Sequence, residues 1–381
     1  MNGPLQGLRV LEIAAIGPVP MACMLMADLG ADVVRVDRRE ASGLGVAMQP
    51  RHDVNARGRR SVALDLKHEA GRDALLRLAT TADVLVEGFR PGVMEKLGLG
   101  PAECMGANPR LVYGRMTGFG QHGPLAQAAG HDLNYIALTG VLDAIGPAGG
   151  APVPPLNLVG DYGGGALYLA FGVMAAIFER QRSGLGQVVD AAMVDGAASL
   201  AAMFFGLQAA GAWDQPRGAN LLDGGAPFYG SYTAADGRCI TLAALEPKFF
   251  AQLVHHLELD RSWLARQYDR RAWPALREAI AHAVARHTRD EWSALLEGTD
   301  VCFAPVLTFE EAPQHAHARQ RKGFVTVDGV VQPAPAPRFG RTPPDHPRPA
   351  PQVGEHTESV LLQAGFSVAE LQALRDQGAA K

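Results

Sequence analysis

The sequence predicts an α/β protein with a Rossmann-like large domain, built on a parallel sheet covered on both faces, and a smaller α+β domain after it. Three observations carry that expectation. Short β-rich runs alternate with helical runs through the first part of the chain, the pattern of strands joined by crossover helices. Past residue 208 the composition shifts to Gly, Pro, Asn and Asp, which suits a connector. The 381 residues exceed the length at which one hydrophobic core usually keeps growing.

In chain order, residues 8–13 read as a buried strand, and the turn Gly17-Pro18-Val19-Pro20 leads into an apolar helical run at 21–29 that Gly30 ends. Residues 31–37, 61–66, 82–87 and 111–113 repeat the strand signal, with a helical pattern at 69–79. The first turn, 14–20, lacks the spaced glycines of a dinucleotide fingerprint, which argues against an NAD-type pyrophosphate site there. The run GGGALYLAFGVMAAIFERQR at 163–182 reads as a buried helix with a charged C-terminal end, and 188–193 as the strand after it. Residues 228–233 and 239–244 flank an Asp236-Gly237 turn as a hairpin, and 248–257 and 273–287 read as helices of the smaller domain. The proline-rich stretch 333–351 resists regular structure and belongs on a surface. Residues 356–364 predict a helix closed by Gly365, and Ser367 with Glu370 has the spacing of a capping box. The domain reading is therefore a large domain at 1–208 completed by 330–381, a connector at 209–225, and a small α+β domain at 226–329.

Composition narrows the function classes. With 35 Lys plus Arg against 39 Asp plus Glu the formal charge is -4, so no basic field marks a nucleic-acid partner. Cys23, Cys104, Cys239 and Cys302 stand apart, with neither a metal-binding spacing nor a dense disulfide framework, which favours a reducing compartment and no structural metal. The first residues lack the basic-then-apolar pattern of a signal peptide, and charged or glycine residues interrupt the apolar stretches before spanning length. A cytoplasmic protein without a membrane partner is the expectation.

The blocks with most chemical content are GHDLNY at 130–135, PPLNLVGDYGGG at 154–165 and ALEPKFF at 244–250. Taken singly, each has an ordinary structural use. His131 with Asp132 is a helix cap or a buried hydrogen-bonded pair, Asp161 can cap the glycine-rich helix after it, and Glu246 before Pro247 can be a helix-start carboxylate. These blocks are joined by LGADVVRVDR at 29–38, EGFRPGVMEKLGLGP at 87–101, MTGFGQHGP at 116–124, VVDAAMVDG at 188–196 and RGANLLDGGAPFYG at 217–230. Together, in this order and over essentially the whole chain, they resemble the bacterial α-methylacyl-CoA racemases, within the class III (CaiB/BaiF-like) CoA transferases.

That resemblance implies an interlocked homodimer whose active site lies between domains of different subunits. It also implies an acyl-CoA substrate, with CoA as its carrier portion and no separate cofactor. His131 and Asp161 match the two acid–base groups, and Glu246 matches the carboxylate that orients the imidazole. Inverting an α-carbon without breaking a carbon–carbon bond requires taking a proton from one face and returning one to the other. The thioester carbonyl can hold the resulting enolate charge. An imidazole, which ordinarily titrates near neutrality, suits either role, whereas an aspartate, ordinarily near pKa 3.9, must be tuned upward by burial.

The same resemblance places CoA contacts at Arg38, Leu64 and Leu66, with Lys67, Gly88 and Arg90 as further candidates near strand ends. Phosphates recruit Arg and Lys, and an adenine recruits apolar walls. Leu64 and Leu66 are equally explicable as core. Tyr135, four residues past His131, either lines the acyl or pantetheine passage or is a core tyrosine, and Arg57, Arg59 and Arg60 make a basic run that suits a solvated face as well as a ligand. Two other functions compete. One is CoA transfer between carboxylic acids with Asp161 as nucleophile through an aspartyl anhydride; the other is an acyl-CoA-binding protein without chemistry.

Overall fold

Strands β1 (Arg9–Ile13), β2 (Asp32–Asp37), β3 (Arg60–Ala63), β4 (Val84–Glu87), β5 (Val112–Thr117) and β6 (Val188–Ala192) form one sheet in the computed structural model of the chain. The structure describes every residue except Met1, Ala41, Ser42, Leu44, Ala47, Asp214 and Gln215. The strand order is β3-β2-β1-β4-β5-β6, and every pairing is parallel. The residues of β4 and β5 are all buried, as expected for central strands covered on both faces. The order reverses between β1 and β4, and in open α/β sheets ligands bind beyond the strand ends at such a point.

Each face of the sheet carries its own core. On one, Leu75, Leu85 and Tyr113 pack with Leu361 and Leu374 from the end of the chain; on the other, Val19, Met26, Val86 and Leu169 pack together. The helix Pro18–Asp28 starts with proline, whose missing N–H costs nothing in a first turn. Helices Thr357–Gln363 and Val368–Asp376 follow the proline-rich stretch, and the predicted Ser367 and Glu370 box caps the second. Beyond it, Ala380 bridges Leu64, and the Asp65 N–H donates to the Ala379 carbonyl at 2.8 Å. The chain end thus covers the outer edge of β3, which would otherwise leave a row of unpaired peptide groups.

Two expectations need correction. The run 163–182 is not a uniformly buried helix: a π-helical segment, Leu158–Leu167, leads into an α-helix, Tyr168–Ser183, and Leu158, Leu167, Phe171 and Phe178 are exposed. The stretch is apolar and long enough to cross a membrane by length and composition, but its glycine side faces the protein. A Cβ on Gly164 would lie 2.5 Å from the Ala197 nitrogen, so small residues admit the neighbouring helix Met193–Leu200 while bulky ones point outward. Hydrophobic content alone does not reveal which face is inside.

The second correction concerns the basic run. Arg57 and Arg59 are buried, not solvated, and pair with Asp28 at 2.5 Å and Glu12 at 2.9 Å, while Arg60 pairs with Asp32 at 2.6 Å. Buried charges persist only when paired in this way. These arginines tie the segment before β3 to β1, β2 and the helix Pro18–Asp28.

By contact clustering the chain divides into two compact units: residues 1–139, 156–200 and 319–381, and residues 140–155 and 201–318. Residues 140–155 and 201–208, read from sequence as part of the large domain, thus group with the second unit, and 319–329 group with the first. The first unit also holds the hairpin β10 (Phe324–Val327) and β11 (Val330–Pro333). In the second unit β7 (Tyr229–Thr233), β8 (Cys239–Ala243) and β9 (Phe303–Pro305) form an antiparallel sheet. Helices Pro247–His256, Trp273–Val284 and Arg289–Leu296 contribute to its core, where Phe228, Phe250 and Trp292 are fully buried. The predicted connector is tied down at Asp223, whose carboxylate accepts the N–H groups of Gly218, Asn220 and Gly225.

Candidate active site

A cleft of about 450 Å³ opens in the first unit at the C-terminal ends of β1, β2 and β3. Arg38, Leu64, Leu66 and Lys67, four of the sequence-predicted CoA contacts, line it with Ile13, Phe89 and neighbouring residues. Leu64 serves two purposes, since it is 1% exposed and belongs to the core while one edge borders the cleft. Arg38 and Lys67 are exposed at the rim. The floor is apolar, and the lining carries charges of both signs, with Asp37, Glu40 and Asp65 beside Arg38, Arg39 and Lys67.

Gly88 and Arg90 do not line the cleft but follow β4 beside it. A Cβ on Gly88 would come within 3.0 Å of Val19 and 3.1 Å of Ala15, so glycine lets the loops after β1 and β4 approach closely. That loop is held by Glu87, whose carboxylate accepts the Phe89 N–H at 2.7 Å and the Arg115 guanidinium at 3.0 Å. Burial pushes Glu87 up to about 7, against the pull of the Phe89 N–H and Arg115. Sequence reasoning missed Glu87; its place at the end of a fully apolar strand is the signal that could have found it.

His131 is the N-cap residue of the helix Asp132–Ala137, and its backbone N–H donates to Asn134 Oδ1 at 3.1 Å. The structural reading of this residue as a cap therefore holds for its backbone, and it leaves the exposed imidazole for other use. Asp161 lies inside the first turn of Leu158–Leu167. Asp132 brings the two together: it follows His131 directly, and its Oδ1 accepts the Asp161 N–H at 2.6 Å. The Asp161 carboxylate accepts from Asn157 Nδ2 at 3.2 Å. Its Oδ2 lies 3.2 Å from where a Cβ on Gly17 would stand, and Gly17, at φ +71°, needs glycine for its backbone as well.

Burial holds the Asp161 carboxyl above the usual range; Asn157 pulls it down, the negative charge of Asp132 pushes it up, and His131 pulls it down. An aspartate so placed can hold and release a proton nearer neutrality than a solvated one. Sequence reasoning missed the work of Asp132, because nothing in a linear reading joins it to Asp161 so far along the chain, and missed Asn157 although its four-residue spacing from Asp161 is a helical signal.

Tyr135 takes the core alternative. It is 7% exposed, meets Phe119 edge to face at 4.9 Å, and its hydroxyl donates to the Gly130 carbonyl. It therefore braces the turn that delivers His131 instead of lining a passage. Glu246 belongs to the second unit, where it is the N-cap residue of Pro247–His256, exposed and without a capping hydrogen bond from its side chain.

The first unit thus combines a six-stranded parallel sheet, a cleft at the C-terminal ends of its strands and an aspartate tuned upward by burial, and comparison with known proteins gives the chain a family. The CoA-transferase family III profile matches residues 5–357, and the chain belongs to that family. Within it, the chain is 48% identical to alpha-methylacyl-CoA racemase of Mus musculus over 371 residues, covering 96% of this chain and 95% of that protein. It is 45% identical to the protein of the same name from Homo sapiens over 372 residues, with 96% and 95% covered. Among solved structures, a CAIB/BAIF family protein from Brucella suis superposes with a TM-score of 0.82 at 26% identity, covering 96% of this chain and 100% of that one.

Proposed function

We propose that the protein racemises 2-methylacyl-CoA thioesters by 1,1-proton transfer. In this reading one of His131 and Asp161 removes the C2 proton, the thioester carbonyl carries the enolate charge, and the conjugate acid of the other returns a proton to the opposite face. The roles reverse for the other enantiomer. Glu246 orients the His131 imidazole, and Arg38, Leu64, Leu66, Lys67, Gly88 and Arg90 receive the CoA portion. The carrying observation is the Asp161 carboxyl, raised by burial and attached through Asp132 to the residue that bears the imidazole. The names of the mammalian relatives point the same way. Two proton-carrying groups and the acidity of the thioester supply the whole reaction, so no redox or metal cofactor enters it.

The reading extends to assembly and place. The exposed apolar side of the helical stretch Leu158–Ser183, with Phe171 74% and Phe178 64% exposed, supports burial against a second copy in a homodimer. The four unpaired cysteines suit a reducing, cytoplasmic setting.

Membership of a transferase family supports one rival, CoA transfer with Asp161 as nucleophile. Incubation of a 2-methylacyl-CoA in heavy water, with no acceptor acid, separates the two. Racemisation predicts deuterium at C2 and mixing of the enantiomers; no uptake, together with CoA transfer once an acid is added, rejects the proposal.

A further inference from the structure

We propose that Asp132 is the positioning residue of this site: its buried carboxylate fixes the backbone of Asp161, and thereby the separation of the two acid–base groups. The inference rests on the racemase reading and goes beyond it by naming what sets the geometry. Asp132 is 6% exposed and starts the helix that His131 caps. One oxygen accepts the Asp161 N–H at 2.6 Å; the other is buried and has no hydrogen-bond partner among the described residues. A Cβ on Gly160 would fall 2.5 Å from Oδ1, so the chain reserves the space next to Asp161 for this carboxylate. A buried carboxylate left half-satisfied is costly to maintain, which a purely structural tie would not require, since a neutral amide oxygen accepts the same N–H.

The carboxylate also has an electrostatic consequence. Its negative charge opposes ionisation of Asp161, in the same direction as burial and against Asn157 and His131. Tyr135, on the helix Asp132–Ala137, is itself pushed up by the Asp161 charge but is not among the groups that shift Asp161. The remaining elements packed against residues 158–167 bring Asp28, Asp190 and Asp195, with Tyr168 and the charged end of the helix Tyr168–Ser183, and none of these shifts Asp161. Asp132 thus places Asp161 through the hydrogen bond to its Oδ1 and favours the protonated form of Asp161 through the charge of its carboxylate.

Asp132→Asn and Asp132→Ala separate the two effects. The assay is C2 deuterium uptake from each enantiomer of a medium-chain 2-methylacyl-CoA across pH, the acidic limb being read on the enantiomer that His131→Ala still exchanges, with thermal unfolding as a check on folding. Wild-type uptake comes first, because its absence would reject the racemase reading and not this one. The asparagine variant keeps the acceptor oxygen and loses the charge, so its kcat stays within a few-fold while the acidic limb of the pH profile moves to lower pH. The alanine variant loses both, and a misplaced carboxylate costs about a hundredfold in kcat. Should the alanine chain not fold, Gly160→Ala displaces Asp132 with its charge intact, and kcat falls with the limb unmoved. An unmoved acidic limb in Asp132→Asn, or wild-type kcat in both positional variants, overturns the proposal.

Discussion

The cleft at the ends of β1, β2 and β3 and the proposed acid–base residues His131 and Asp161 lie in the same unit but are built in opposite ways. The cleft is wide, its floor is core leucine, and its basic groups stand exposed at the rim. Asp161 is held by two hydrogen bonds, from Asn157 at 3.2 Å and to Asp132 at 2.6 Å, with Gly17 and Gly160 leaving just enough room. Affinity for a long carrier can be spread over many modest contacts, whereas proton transfer depends on atoms placed to within a fraction of an ångström. Single substitutions should therefore be mild in the first region and severe in the second.

The largest effect is expected at the pair. His131→Ala and Asp161→Ala each lower inversion by about 10²- to 10⁴-fold, the usual contribution of a general acid or base, with KM little changed. Enantiomer ratios followed by chiral chromatography check this, and full activity in either variant removes that residue from the mechanism. Next comes Glu246→Gln, expected to cost about tenfold to a hundredfold in kcat if its carboxylate stabilises the charged imidazole, the range of one charge-assisted hydrogen bond worth ~1.5–3 kcal/mol. An unchanged kcat would leave Glu246 as a helix-start residue only.

In the cleft, Arg38→Ala and Lys67→Ala should each raise KM about tenfold and leave kcat nearly constant, the lower end of a charge-assisted contact. Rising salt should erode the difference from wild type, since both groups are exposed. A fall in kcat at constant KM would break the division between the two regions.

The smallest effect concerns stability. Glu87 holds its proton up to about 7 in the folded chain but releases it near 4.5 when unfolded, so its contribution favours folding most below about 4.5 and is lost as pH rises toward 7. Glu87→Gln keeps an acceptor for the Phe89 N–H and should flatten that slope in denaturant titrations; an unaltered slope would place its origin elsewhere.

Much of the first region is legible in the linear sequence. Alternating β-rich and helical runs mark the six strands, and Arg38 and Lys67 stand at strand ends because charged residues there interrupt apolar runs. His131 and Asp161 are visible as chemical groups, but their connection is not: it passes through Asp132 and requires the turns at 130–132 and 157–161 to meet in space. The bridge between Ala380 and Leu64 is hidden for the same reason, as an isolated pairing of residues far apart leaves no local pattern. Burial of Arg57 and Arg59 escapes sequence reading because their partners, Asp28 and Glu12, come from earlier elements. At Leu158–Ser183, composition shows an apolar helix, while only the packing of Gly164 on Ala197 shows which side is covered.

Two groups serving opposite faces of one carbon leave their mark in the half-reactions of the single variants. Each pure enantiomer of a 2-methylacyl-CoA is incubated in heavy water with His131→Ala or with Asp161→Ala, and C2 deuterium is read by mass spectrometry before any inversion accumulates. Each variant should still exchange one enantiomer, and the two variants should choose opposite ones. Exchange of the same enantiomer by both, or of both enantiomers by either, would contradict the two-face mechanism.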